Sequence, residues 1–99
     1  MKARDKSYEQ ATLQVLTDPV EAAAYIEAVL ELDDPVTLLV ALRQVANAHG
    51  MAEVARRADV GDKTLFRALS ENGNPTLSTV HKVLRAVGLR LSVTPEPVQ

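Results

Sequence analysis

Few residues in this sequence are placed for covalent chemistry. His49 and His81 stand far apart with no metal-ligand spacing around them, and each reads as a surface or helix-end residue. Ser7, Ser70, Ser78 and Ser92 have no recognisable general-base partner. Cysteine is absent, which removes thiol nucleophiles, disulfides and thiolate-held metals. No glycine-rich phosphate loop occurs. The acidic group Glu31, Asp33 and Asp34 could suggest a cation site, but a helix cap at Asp34 and a solvated loop explain it better. No enzyme activity, cofactor or metal is therefore expected. Ionic recognition remains, and its candidate is "VARRADVGDKTLFRALSENGNP", residues 54–75. A short helix stops near Arg57–Ala58, the chain turns through Ala58-Asp59-Val60-Gly61, and a second short helix begins with Asp62-Lys63-Thr64. DNA-reading helices are usually presented this way.

Against that stands a formal net charge of −2 over 99 residues. The total hides an asymmetry. Residues 1–49 sum to −4 and residues 50–94 to +3, through Arg56, Arg57, Lys63, Arg67, Lys82, Arg85 and Arg90. Salt screens surface potential beyond a Debye length of about 8–10 Å. One half can thus face an anionic partner while the other faces elsewhere.

The elements that must position these residues are helices. Hydrophobic residues make up 46% of the chain and aromatics 3%, so the core is built from Leu, Val and Ala. The length suits one domain. A short helix is possible around Tyr8–Leu16. In "TDPVEAAAYIEAVLEL" Asp18 caps, Pro19 takes the first helical position, and Ala22, Tyr25, Ile26, Val29 and Leu30 form one apolar face. "DDPVTLLVALRQVANAHG" repeats the start signal with Asp34 and Pro35. Its inner face is Leu38, Ala41, Leu42, Val45 and Ala46, and Gly50 stops it. Shorter helices follow over about 51–57 and 62–70, burying Val54, Ala55 and Ala58, then Leu65, Ala68 and Leu69. "SENGNP" is a turn. Thr76 caps a last helix carrying Val80, Val83, Leu84 and Val87, and Gly88 ends it. "LRLSV", residues 89–93, alternates as a short strand would. A lone strand needs a partner chain; the competing expectation is an extended tail packing Leu91 on the helices. The expected organisation is an N-terminal segment 1–17, a helical domain 18–93 and a flexible tail 94–99. No apolar run is long enough for a membrane span, and "MKARDKSYEQ" is too polar for a signal peptide. Together with the missing cysteine, this fits a cytoplasmic location.

A helix-turn-helix needs four residues at fixed offsets. Ala55 is the small residue that permits a close crossing, and Asp59 tolerates positive φ in the turn. Val60 is the buried apolar after it, and Leu65 the buried aliphatic of the second helix. "VARRADVGDKTLFRAL" and then "GNPTLSTVHKVLRAVGL" resemble the helix-turn-helix of lambda-repressor/Cro-type (XRE) regulators. From about Asp18 to Val93 the sequence resembles the probable addiction-module antidote proteins more closely. "LDDP", "ANAHGM", "LFRALSENGNP" and "VLRAVGLRL" carry that likeness. Those proteins are small type II antitoxins encoded beside a RelE/ParE-like toxin. The resemblance implies an all-α fold of five to six helices, and a homodimer that binds double-stranded operator DNA, represses its own operon and neutralises the toxin by binding it.

Carried over by that resemblance, Asp62, Lys63, Thr64 and Arg67 occupy base-reading positions. As i, i+4 neighbours, Lys63 and Arg67 project from one face into a major groove. Arg67 could pair bidentately with guanine, and Lys63 could reach guanine or phosphate. Asp62 could accept from a cytosine amino group or stabilise the helix N-terminus, the second being favoured. Phosphate contacts are expected at Met51, through its backbone N–H, and at Arg56, Asn72 and Asn74. A solvated charge is an equal alternative for Arg56. Two departures from the family pattern stand out: Gly61 replaces a Ser or Thr cap, and Met51 replaces a Gln or Thr phosphate donor. Phe66 is expected to point outward against DNA or a neighbouring subunit, or else to sit at the core edge. Two other functions stay open: a free-standing repressor with no toxin partner, and an interaction module that has lost DNA binding. The acidic N-terminal half suits a basic partner in either antitoxin or interaction readings.

Overall fold

A computed structural model describes residues 13–97 of the chain. These residues are all-helical, in a small α domain, with no strand among them. Residues 13–15 are helical, and the rest of the helix expected around Tyr8–Leu16 lies outside the described residues. Leu16 is nevertheless buried in the common core, so the chain before the expected domain start at 18 contributes to it. Five helices follow: α1 (Pro19–Leu30), α2 (Pro35–His49), α3 (Met51–Ala58), α4 (Asp62–Ala68) and α5 (Leu77–Ala86).

Each start has a local cause. The Asp18 carboxylate accepts from the Val20 N–H and Asp34 from the Val36 N–H, with proline at the first position in both helices. Asp34 also accepts from the Thr37 hydroxyl at 2.7 Å. That bond first, and the Val36 amide second, hold its carboxyl below the usual range. Thr76 accepts from the Thr79 N–H and starts α5. Gly50 ends α2 at φ 91°, a left-handed value that costs any residue with a Cβ.

Gly61 precedes α4 in extended conformation, φ −61°, with no side chain to accept from the helix start. A Cβ built there meets nothing closer than Thr64 Oγ1 at 3.6 Å. Gly61→Ser should therefore be neutral or stabilising by roughly a few tenths of a kcal/mol, because a serine hydroxyl can cap where glycine cannot. Thermal melts of the two proteins test this, and marked destabilisation would contradict it.

The helices share one core. Leu65, Leu69, Val45, Val54 and Val83 are its largest fully buried side chains. Helix α3 sits at the centre, packed on α2, α4 and α5, while α1 packs on α2. The Tyr25 hydroxyl donates to Gln44 Oε1 and joins α1 to α2. The expected inner faces turn inward, with Tyr25, Leu38, Ala68 and Val80 only partly buried and one residue exposed. Leu30, on the apolar face of α1, is 54% exposed. Val29 beside it is buried, and the helix ends at Leu30, past the part of α1 that the rest of the core covers.

The short strand considered for residues 89–93 is not formed. The Leu89 N–H closes the end of α5 on Leu84 O at 2.7 Å, and residues 90–97 have no backbone hydrogen bond among the described residues. The physical reason is the absence of a neighbouring strand: a ladder needs two chains or two segments, and the rest of the described chain is committed to helices. Leu91 lies beside α1, partly exposed.

Candidate nucleic-acid interface

The geometry of α3 and α4 is decided at Asp59. Its backbone is left-handed, φ 58° and ψ 48°. The Val60 N–H bonds Ala55 O at 3.0 Å, and the Asp59 N–H bonds Arg56 O. These two bonds form a Schellman closure, with aspartate in the place glycine most often takes. Ala55 is buried to 1% exposure and Val60 packs against the same core, so the turn is closed by apolar contact as well. The chain then re-enters helix at Asp62.

Leu65 and Leu69 are buried completely, which fixes the rotation of α4 about its axis. The opposite face, with Asp62, Lys63, Thr64, Phe66 and Arg67, is exposed. Lys63 and Arg67 therefore lie together on the outer face and enter no ion pair among the described residues. Phe66 is 63% exposed, which excludes the core-edge placement. Asn72 and Asn74 are exposed in the turn that follows.

The other expected contacts differ in environment. Met51 opens α3 with its side chain half-buried on the core, and no side chain caps that helix start. A contact there would use the backbone N–H alone. Arg56 is exposed but bound. Its Nε donates to Glu53 Oε1 at 3.1 Å, and Arg57 Nε donates to Glu53 Oε2 at 2.8 Å. One carboxylate thus faces two guanidinium groups and offsets part of their charge. The i, i+3 and i, i+4 spacing from Glu53 could have revealed both pairs in the sequence.

Arg56 first and Arg57 second hold the Glu53 carboxyl down to about 2 from an ordinary 4.5. A group with a lowered folded pKa adds stability above its unfolded value and loses it as pH falls toward the folded one. Wild type should accordingly lose resistance to urea between about pH 4.5 and about 2 more steeply than Glu53→Gln. Identical pH dependence would mean that the two pairs do not form in solution.

Two arginines have structural roles that spacing alone does not reveal. Arg57 Nη1 donates to Ala86 O at 3.2 Å and ties α3 to the end of α5. Arg43 Nη1 donates to Leu69 O at 3.0 Å and ties α2 to the end of α4. The second bond anchors α4 from behind while its outer face stays open. Among the described residues no group of three or more His, Asp or Glu side chains could hold a metal ion. No helix among them is long and apolar enough to cross a membrane.

The family profile described as "Probable addiction module antidote protein" matches residues 6–95. A protein of Haemophilus influenzae (strain ATCC 51907 / DSM 11121 / KW20 / Rd), described as an uncharacterized protein, is 38% identical over 78 residues. That match covers 79% of this chain and 80% of the relative. No solved structure matches the chain.

Proposed function

We propose a function from one fixed point: the chain belongs to the family of probable addiction module antidote proteins. It is an antitoxin, which implies a toxin partner and a regulatory, non-enzymatic role. The finer reading is a homodimeric helix-turn-helix protein that represses its own operon and neutralises a RelE/ParE-like toxin by binding it. One observation carries the DNA half: α4 is held from behind by Leu65, Leu69 and the Arg43 bond to Leu69 O, while Lys63 and Arg67 are exposed on its outer face and form no ion pair among the described residues.

In this mechanism α4 is the reading helix. Two subunits place their α4 helices in successive major grooves, about 34 Å apart on a palindromic operator. Arg67 reads a guanine edge and Lys63 a guanine or phosphate. Asp62 stabilises the start of α4, and Thr64 stands beside the base-reading pair. The Met51 amide, Arg56, Asn72 and Asn74 hold the backbone at the rim. Arg56 does so only by giving up Glu53, so its contribution is smaller than its exposure suggests.

Gel-shift binding to the protein's own promoter tests the DNA half, and growth rescue on co-expression with the product of the adjacent gene tests the toxin half. Operator affinity should also fall steeply with ionic strength, because phosphate neutralisation releases counterions, with a slope of about −0.9 per phosphate contacted. A flat dependence measured by fluorescence anisotropy between low and physiological salt would overturn the electrostatic basis of the reading.

A further inference from the structure

From residue 13 to residue 42 the chain has six carboxylates, Asp18, Glu21, Glu27, Glu31, Asp33 and Asp34, and no lysine or arginine. All six are exposed. Among them stand apolar side chains that the fold does not cover: Leu30 at 54%, Leu32 at 63% and Val36 at 60% exposure. A shallow groove of about 360 Å³ runs between α1 and the segment after α5, lined by Ile26, Leu30, Leu84, Leu89 and Leu91, with Glu27 and Arg90 at its polar edge. Leu30 also lines a second depression with Asp33, Asp34, Pro35 and Leu38. The two depressions adjoin at Leu30. An apolar strip framed mostly by carboxylates, Glu27, Asp33 and Asp34 against Arg90, is the arrangement of a specific interface, in which the strip supplies burial and the rim supplies selection.

We propose that this face, from α1 through the 31–34 turn to the start of α2, is the docking surface for a cationic protein. Aliphatic side chains of the partner enter the groove around Leu30, and its lysines and arginines face the carboxylate rim. The proposal rests on the antidote reading and names the surface on which the partner is held. Charge selects the occupant. Nucleic acid and anionic lipid are repelled by the rim. A second copy docked through the same face would set Glu27, Asp33 and Asp34 against the same carboxylates across a two-fold axis, which is unfavourable. The cations on the outer face of α4 belong to a different element and stay available for another partner.

The test is calorimetric titration of the intact protein with the purified product of the adjacent gene. Wild type is compared with Glu27→Lys/Glu31→Lys and with Leu30→Ser/Leu32→Ser. None of these residues supplies a helix-capping side chain, and helical content and melting are checked by circular dichroism. Each double variant should bind the product at least tenfold more weakly while its affinity for the protein's own promoter is unchanged. Wild-type binding with both variants within twofold of it overturns the surface and leaves the antidote reading standing. No binding by wild type overturns the antidote reading, and the surface with it. A shift in oligomeric state by light scattering, with partner binding intact, makes the face an interface between copies and also overturns the proposal.

Discussion

Replacing Gly73 with alanine is expected to destabilise the domain by roughly 1–3 kcal/mol, the usual cost of forcing extra atoms into a filled space. A Cβ built at Gly73 lies 2.1 Å from Ala68 O and 2.6 Å from Arg67 O. Both oxygens belong to the backbone of the last turn of α4, so no side chain can swing aside to make room. The Gly73 amide also donates to Ser70 O at 2.8 Å, which draws the turn onto the helix end. The turn or the helix end must move. Moving the helix end loosens Leu69, whose carbonyl receives Arg43 and whose side chain is fully buried. For a domain of about this size each kcal/mol lowers the melting temperature by roughly 4–8 °C. An unchanged melting temperature would show that the turn does not lie against α4.

The second large effect concerns recognition. Arg67→Ala should weaken specific operator binding by roughly 1–3 kcal/mol while leaving the fold intact. At about 1.4 kcal/mol per tenfold, that is a loss of roughly 5- to 150-fold. The side chain is exposed and makes no hydrogen bond among the described residues, and alanine is the best helix former, so stability should not fall. Loss at Arg67 should be greater on the operator than on a scrambled duplex, because a base contact discriminates. Arg56→Ala should weaken both duplexes alike and only slightly, since Glu53 already engages that guanidinium. Fluorescence anisotropy on the two duplexes separates the cases. Equal affinity of a folded Arg67→Ala protein and wild type for the operator would remove Arg67 from the reading face.

The sequence and the structure agree wherever the cause is local. Asp18, Asp34 and Thr76 cap helices as their types and neighbours suggest, because a cap is a contact two or three residues away. Asp59 takes the left-handed turn, and Gly61 stands before α4. The outward direction of Phe66 follows from the inward direction of Leu65 and Leu69 within one helical turn. The family likeness read from "LDDP", "ANAHGM" and the blocks after them matches the profile over residues 6–95.

Where the two part, the cause is distance along the chain. The bonds of Arg43 to Leu69 and of Arg57 to Ala86 span 26 and 29 positions, and nothing in local spacing selects those carbonyls. Gly73 reads as an ordinary turn residue until the end of α4 is brought against it. Leu30 keeps the periodicity of a core residue and is left half outside, because which part of an amphipathic face gets covered depends on the packing of the neighbouring helices. Residues 89–93 alternate like a strand, yet a ladder requires a second segment that the described chain does not offer. By itself, then, the sequence determined the helices, their ends, the Asp59 turn and the family, all set by contacts within about one helical turn or by the order of residues. Only the tertiary structure decided which cations are already paired, which backbone atoms meet, and that an acidic apolar face remains uncovered. Those depend on where segments remote in sequence come to lie in space.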